Sequence, residues 1–158
     1  ILGGGIHLLD LILKLKNKKV KEIYTIGNKI ITHKFKKIPE DFALSVITFE
    51  DGCIAKISSN FSSPTDHHHI FNLYSQNTSF FYKRNSVEQC FRERMNKSNI
   101  KVKYRYDNQM KSEILFNFFE SIRNKKIKPI ITEKDLFYLM KISLMLVESH
   151  KRKKIIKL

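Results

Sequence analysis

Residues 42–58 constrain the fold more than any other stretch. Phe42-Ala43-Leu44-Ser45-Val46-Ile47-Thr48-Phe49 alternates, with Phe42, Leu44, Val46 and Thr48 on one face and Ala43, Ile47 and Phe49 on the other. Successive side chains of an extended strand point to opposite faces, so this period of two is a strand signature. Glu50-Asp51-Gly52 follows, and Cys53-Ile54-Ala55-Lys56-Ile57-Ser58 returns as the partner strand. Asp-Gly supplies the positive φ of a tight turn, and between two alternating runs it predicts a hairpin. An antiparallel sheet is therefore the framework on which the rest of the chain must pack.

The neighbouring segments extend that sheet. Val20 to Gly27 reads as a strand with Val20, Ile23 and Ile26 as its buried set. Lys29 to Lys37 is basic and ambiguous, a short strand or a loop that Pro39 closes. His67 to Tyr74 and Ser79 to Lys83 form a second hairpin across Ser75-Gln76-Asn77-Thr78. Asn85 to Asn99 is polar and irregular, with one helical turn around Val87 to Arg94, and Ile100 to Tyr106 alternates as a half-buried strand.

In the last third the period changes from two to nearly four. Ile114, Leu115, Phe118, Phe119 and Ile122 make a helical stripe ending at Asn124. After Pro129, Thr132 is an N-cap with Asp135 three residues on, a variant of the capping box. Leu136, Leu139, Met140, Ile142, Ser143, Leu146 and Val147 then predict a long amphipathic helix to about His150, and Lys154 to Leu158 closes as a short strand. With the opening helix described next, the order predicts an α+β domain: one open, mostly antiparallel sheet with helices on one face.

The opening segment carries the candidate chemistry. Gly3-Gly4-Gly5 runs into Ile6-His7-Leu8-Leu9-Asp10-Leu11-Ile12-Leu13-Lys14-Leu15. On a helix His7, Asp10 and Lys14 share one face, flanked by Ile6, Leu9 and Leu13 on one side and Leu8, Ile12 and Leu15 on the other. Ionisable groups between two apolar walls suit a helix that lines a cleft. The glycines either leave the amides of the first turn open or let another backbone or a ligand come close. The bland alternative is a surface His–Asp pair worth a few tenths of a kcal/mol.

Composition narrows the classes. The chain has 158 residues, of which 42% are hydrophobic and 28% charged, enough for one folded domain over 1–158. No apolar run is long enough to span a bilayer and no signal-peptide pattern is present, so no membrane partner is expected. Ile1 in place of Met reads as a piece of a longer protein. The net charge of +15 is mostly scattered lysine with no nucleic-acid motif, so no nucleic-acid partner is expected either. The one local cluster, His150-Lys151-Arg152-Lys153-Lys154, reads as cations gathered after a helix C-terminus. Cys53 and Cys90 lack metal-ligand spacing and fit a reduced, cytoplasmic compartment. In His67-His68-His69 only the first and third could share a ligand on a strand, and no metal site is expected.

Several segments, in order, carry a family likeness. Gly5-Ile6-His7-Leu8-Leu9-Asp10 resembles the Gly-x-His-x-x-Asp segment that opens the C-terminal domain of the Gfo/Idh/MocA oxidoreductases. Glu40-Asp41-Phe42-Ala43-Leu44 with Phe49-Glu50-Asp51-Gly52 resembles that family's hairpin. Ile70-Phe71-Asn72-Leu73-Tyr74-Ser75 is similar to its strand into a Tyr-Gly turn, with Ser75 where glycine is usual. Phe118-Phe119-Glu120-Ser121-Ile122-Arg123-Asn124-Lys125, Pro129-Ile130-Ile131-Thr132-Glu133-Lys134-Asp135 and Val147-Glu148-Ser149-His150 follow its two closing helices.

The resemblance implies a C-terminal fold like that of glyceraldehyde-3-phosphate dehydrogenase, serving as substrate-binding and dimerisation domain of an NAD(P)-dependent oxidoreductase on a sugar or polyol alcohol. It implies His7 as proton acceptor or substrate hydrogen-bonder, Asp10 as its orienter, and Gly5, His7 and Lys14 as substrate contacts. NAD or NADP would be held by the full-length enzyme and by none of this chain alone. The uncovered sheet face would pair two copies into a homodimer, unless residues 29–37 or 85–99 fold over it.

Two departures accompany the likeness. No Gly-x-Gly-x-x-Gly unit is present, so the Rossmann domain and the family's Glu-Lys-Pro lysine lie outside this chain. Gly3 also stands four residues before His7, where many members carry an acidic residue, so either the relay is shorter or the glycine run marks a deletion. The rival reading is a non-catalytic binding or assembly domain that kept the fold.

Overall fold

The computed structural model describes residues 3–36, 40–66, 68–83, 86–91, 97–100 and 108–158. In chain order these form α1 (Gly5–Leu15), β1 (Val20–Asn28), β2 (Phe42–Phe49), β3 (Ile54–Asn60), β4 (Ile70–Tyr74), β5 (Thr78–Lys83), β6 (Ser86–Phe91), β7 (Lys97–Ile100), α2 (Asn108–Arg123), α3 (Glu133–Arg152) and β8 (Ile156–Lys157). The α+β class and the open antiparallel pairing follow the sequence reading, but where one sheet was expected the described strands form two four-stranded ladders, β3-β2-β1-β8 and β4-β5-β6-β7. The chain divides into two compact units, 1–64 with 129–158, and 65–128.

The first unit is built on the Asp-Gly hairpin. Thr48 pairs with Ile54 across the turn, and Gly52 takes the positive φ of 82° that an L side chain resists. The strand alternation settles which face is covered. Ala43, Ser45, Ile47 and Phe49 are buried and pack with Leu9 of α1 and Ile142 and Leu146 of α3. Phe42, Leu44, Val46 and Thr48 lie on the other face and are half-buried. On β1 the buried set is Val20, Ile23 and Thr25, whereas Ile26 was expected inside and is 47% exposed. A register shift between Val20 and Glu22 is the cause: it moves the later odd-numbered residues to the covered face.

Helix α3 does more than cover the sheet. The Val20 amide donates to Tyr138 Oη at 2.9 Å, and the Thr25 amide donates to Ser149 Oγ at 3.0 Å. Those strand positions span about 16 Å at strand rise, and Tyr138 to Ser149 span about the same at helix rise. Helix and strand therefore run in the same direction, and β8 returns antiparallel to β1 through Ile23 and Ile156. Because β8 is so short, Ser149 takes the place of a strand partner for Thr25, and its hydroxyl donates onward to Lys154 O at 2.7 Å. This explains a serine inside the Glu-Ser segment quoted above. Ser149→Ala strands a buried amide and a part-buried carbonyl, and we expect it to lower unfolding free energy by about 1–3 kcal/mol in denaturant titration.

The expected capping box is present: Asp135 N donates to Thr132 Oγ1 at 3.2 Å, and Thr132 N donates to Asp135 Oδ2 at 2.9 Å. The Thr132 hydroxyl and backbone hold the Asp135 carboxyl below its ordinary range against some desolvation, with Lys14 of α1 adding to the effect.

The second unit is a meander. Phe71 pairs with Tyr82 and Leu73 with Phe80, which puts these four on one face. Tyr74 meets Phe81 edge-on across the other face, with centroids 5.6 Å apart. The helical turn expected around Val87 is instead strand β6, paired to β5 from Lys83–Ser86 to Thr78–Phe91. Val87 is one of an alternating set in which the polar Glu88 and Cys90 lie opposite, and cross-strand pairing overrides the local polarity. The strand expected at Ile100–Tyr106 falls mostly outside the described residues; Ile100 itself ends β7. Helix α2 carries its predicted stripe, and Leu115, Phe118, Phe119 and Ile122 are exposed on it.

Candidate functional site

Helix α1 is positioned at both ends. Gly5 and Leu9 face the core, with Leu8, Ile12 and Leu13 packed beside them. At the C-terminal end Lys16 Nζ lies 2.5 Å from Asp51 Oδ2 in the hairpin turn. That hydrogen bond raises the Lys16 pKa and holds Asp51 below its ordinary range. At the N-terminal end Gly3 lies against Phe61, just beyond β3. The helix therefore runs antiparallel to β3, and its two ends are separated by the length of the sheet.

His7, Asp10 and Lys14 lie on the outward side of this helix. His7 and Lys14 are exposed and Asp10 is half-buried. The structure brings Asp10 and Lys14 together, Nζ to Oδ2 3.9 Å with both side chains 40% exposed, an ion pair worth a few tenths of a kcal/mol. Gly5, expected as a substrate contact, is buried on the core side of the same turn. The stripe thus turns away from the unit that carries it, as the wall of a cleft does when the second wall lies elsewhere.

A Cβ on Gly3 would stand 2.7 Å from Cζ of Phe61. The ring is exposed, and an acidic side chain at position 3 would require it to swing aside.

Asp41 was quoted as part of a motif without a role, and the structure gives it one. It is 2% exposed, and its carboxylate accepts the backbone amides of Ile30, Ile31 and Thr32 and the Thr32 hydroxyl. Burial pushes its pKa up, but the bonds from Thr32, Ile31 and Ile30 outweigh this and leave it below the ordinary carboxylate value. Its backbone accepts from Phe61 N at 2.8 Å and donates to Asn28 O at 2.8 Å. The preceding Glu40 pairs with His150, Oε1 to Nε2 3.3 Å, across Gly27, where a Cβ would stand 2.9 Å from Phe42 O and 3.1 Å from the imidazole. An acidic residue at a strand start after a basic loop was the available signal for Asp41; its burial is a tertiary fact.

Elsewhere no cluster of metal-ligating side chains occurs among the described residues, which exclude His67. No described helix is long and apolar enough to cross a membrane.

No family model matches the sequence, and no curated protein matches it. Solved structures do. A UDP-N-acetylglucosamine 3-dehydrogenase from Acidithiobacillus ferrooxidans superposes with a TM-score of 0.78 at 14% identity, over 94% of this chain and 46% of that one. A levoglucosan dehydrogenase in complex with NADH and L-sorbose gives 0.79 at 12% identity, over 98% and 48%. An oxidoreductase domain protein from Kribbella flavida gives 0.78 at 9%, over 98% and 50%. The chain spans about half the length of each. It has, over that half, the fold of the Gfo/Idh/MocA-type oxidoreductases.

Proposed function

We propose that residues 1–158 act as one substrate-binding and dimerisation domain of an NAD(P)-dependent oxidoreductase that works on an alcohol carbon of a sugar or polyol. The observation that carries this reading is the outward stripe of His7, Asp10 and Lys14 on a helix pinned at both ends. The fold shared with sugar-acting dehydrogenases supports it.

The dinucleotide cradle of a Gly-x-Gly-x-x-Gly turn is not in this sequence, and cofactor binding is assigned to the other part of the enzyme. The contribution of this chain is to the proton. An alcohol carbon that gives up hydride must also lose its hydroxyl proton, and an imidazole on an exposed helix face can accept it at Nδ1 or Nε2. Asp10, one turn on, orients the ring or balances its charge. Lys14 draws on Asp10 and offers a donor to substrate hydroxyls. The full-length protein should reduce NAD or NADP with at least one member of a panel of sugars and polyols, followed by nicotinamide absorbance. Failure with every member of the panel refutes the reading, and the chain alone should do nothing.

One observation favours the rival, a non-catalytic assembly domain: the Phe61 ring fills the place of the acidic partner at position 3. In the rival, His7 is an ordinary surface residue.

Dimerisation is assigned to the uncovered face of the first sheet. Tyr24 stands opposite Val46 and Ile26 opposite Leu44, with Ile54 67% exposed beside Thr48, an apolar patch on a face that no described element of the first unit covers. Packing two such faces about a two-fold axis buries it. Light scattering at micromolar concentration should return twice the chain mass, and Val46→Lys should return the monomer. A monomer mass for the unaltered chain overturns the assignment.

A further inference from the structure

The two ends of the first unit differ in charge. At the hairpin end the signs are mixed: Asp51 pairs with Lys16, Glu50 N donates to Lys19 O, and Glu133 and Asp135 open α3. At the opposite end β1 runs out into residues 29–36, β3 ends, and α3 finishes beside them. Printed contacts fix that grouping. His150 pairs with Glu40 across Gly27, Asp41 N donates to Asn28 O, and Phe61 N donates to Asp41 O.

The loop of residues 29–36 is knitted into one shape. The Asp41 carboxylate takes the amides of Ile30, Ile31 and Thr32, Phe35 N donates to Thr32 O at 2.8 Å, and Lys29 Nζ donates to Phe35 O at 2.7 Å. Only Thr32 turns its side chain inward, onto the same carboxylate. Ile30, Ile31 and Phe35 are left 69%, 66% and 61% exposed. A loop this well bonded therefore holds three large apolar groups in water, where they add nothing to the core. Phe61, exposed as well, joins them through its bond to Asp41.

Cations surround these apolar tips. Lys34 and Lys36 are exposed on the loop, Lys29 lies at its base, and Lys151, Lys153 and Lys154 are exposed after His150. The carboxylates at this end are already engaged: Asp41 by the loop amides, Glu40 by His150 and Glu148 by Arg152. The basic cluster at the end of α3 and the apolar loop thus belong to one surface.

We propose that this end of the first unit docks on an anionic lipid surface, with Ile30, Ile31 and Phe35 entering the headgroup boundary and the lysines around them facing acidic headgroups. Apolar tips ringed by cations are the combination such a surface favours, and contact of this kind needs no spanning segment. A second copy fits less well, because two-fold pairing would set each lysine cluster against its own counterpart. A nucleic acid also fits less well, because Ile30 and Ile31 offer no plane on which a base can stack. The inference is independent of the dehydrogenase reading.

The test is co-sedimentation of the full-length protein with phosphatidylcholine vesicles, with and without phosphatidylserine, at physiological ionic strength. Vesicles that contain phosphatidylserine should carry the protein down, and pure phosphatidylcholine should leave it in solution. Ile31→Asp should weaken binding by about tenfold or more, the scale of one isoleucine kept out of an apolar phase. Lys34→Ala with Lys36→Ala should weaken it about thirtyfold, each cation near an anionic leaflet being worth about fivefold. Lys18→Ala with Lys19→Ala, exposed at the hairpin end, is the control and should change it little. All these side chains are exposed, so melting temperatures should stay as they were. No sedimentation with phosphatidylserine overturns the proposal. Sedimentation that ignores Ile31 and falls equally for both lysine pairs means general attraction of a basic protein and overturns it too. Tighter binding of transfer RNA than of vesicles, or loss of a dimer in Ile31→Asp by light scattering, gives the surface to another occupant and overturns the assignment to lipid.

Discussion

Replacing His7 by alanine should lower kcat/KM of the full-length enzyme by about a hundredfold to ten-thousandfold, the usual worth of one positioned general base. The loss should fall mainly on kcat, because proton transfer develops in the transition state, with a smaller rise in KM for the lost substrate hydrogen bond. The side chain is exposed, so folding is not at stake, and the circular dichroism spectrum and melting temperature should stay as they were. Asp10→Asn removes the charge while keeping the shape, and its effect should be smaller than that of His7. Leu11→Ala, exposed on the same side of the helix, is the control and should change the rate little. An unchanged kcat/KM in His7→Ala removes the catalytic assignment and leaves the assembly-domain reading standing.

The hairpin was legible because two local signals agreed: the alternation from Phe42 to Phe49 and the Asp-Gly turn both demand the same pairing. The capping box at Thr132 was legible for the same reason, since its donors and acceptors are all within four residues. What alternation does not reveal is which face is covered. Both faces of β2 are apolar, and only the helices distinguish Ile47 from Val46. Ile26 was misplaced because a register shift is a property of two strands, and nothing in Val20 to Gly27 marks it. Val87 to Phe91 carried mixed polarity, which resembles a polar turn until pairing with β5 gives it a strand partner.

At the candidate site the four-residue spacing of Asp10 and Lys14 was enough to pair them, because helix geometry is local. The roles of Phe61 and Asp41 were not legible, because each acts on a segment remote in sequence. Asp41 meets its loop some ten residues back, and Phe61 meets a glycine at the other end of the unit.

The largest stability effect is expected at Leu146. It is fully buried on α3, in one cluster with Ile142 of the same helix, Leu9 of α1 and Ile23, Ile47 and Phe49 of the sheet. Leu146→Ala removes three carbons from the place where two helices and three strands meet. The neighbours cannot close the gap freely, because α3 is fixed along β1 by Tyr138 at one end and Ser149 at the other. Transfer and cavity costs therefore add, and unfolding free energy should fall by about 2–5 kcal/mol. Leu144 provides the comparison on the same helix: it is 56% exposed, and Leu144→Ala should cost well under about 1 kcal/mol. Chemical denaturation of the two variants beside the parent chain reads both. Equal losses at the two positions would mean that α3 does not lie on the sheet by its Ile142–Leu146 face, and the order of layers in the first unit would have to be redrawn.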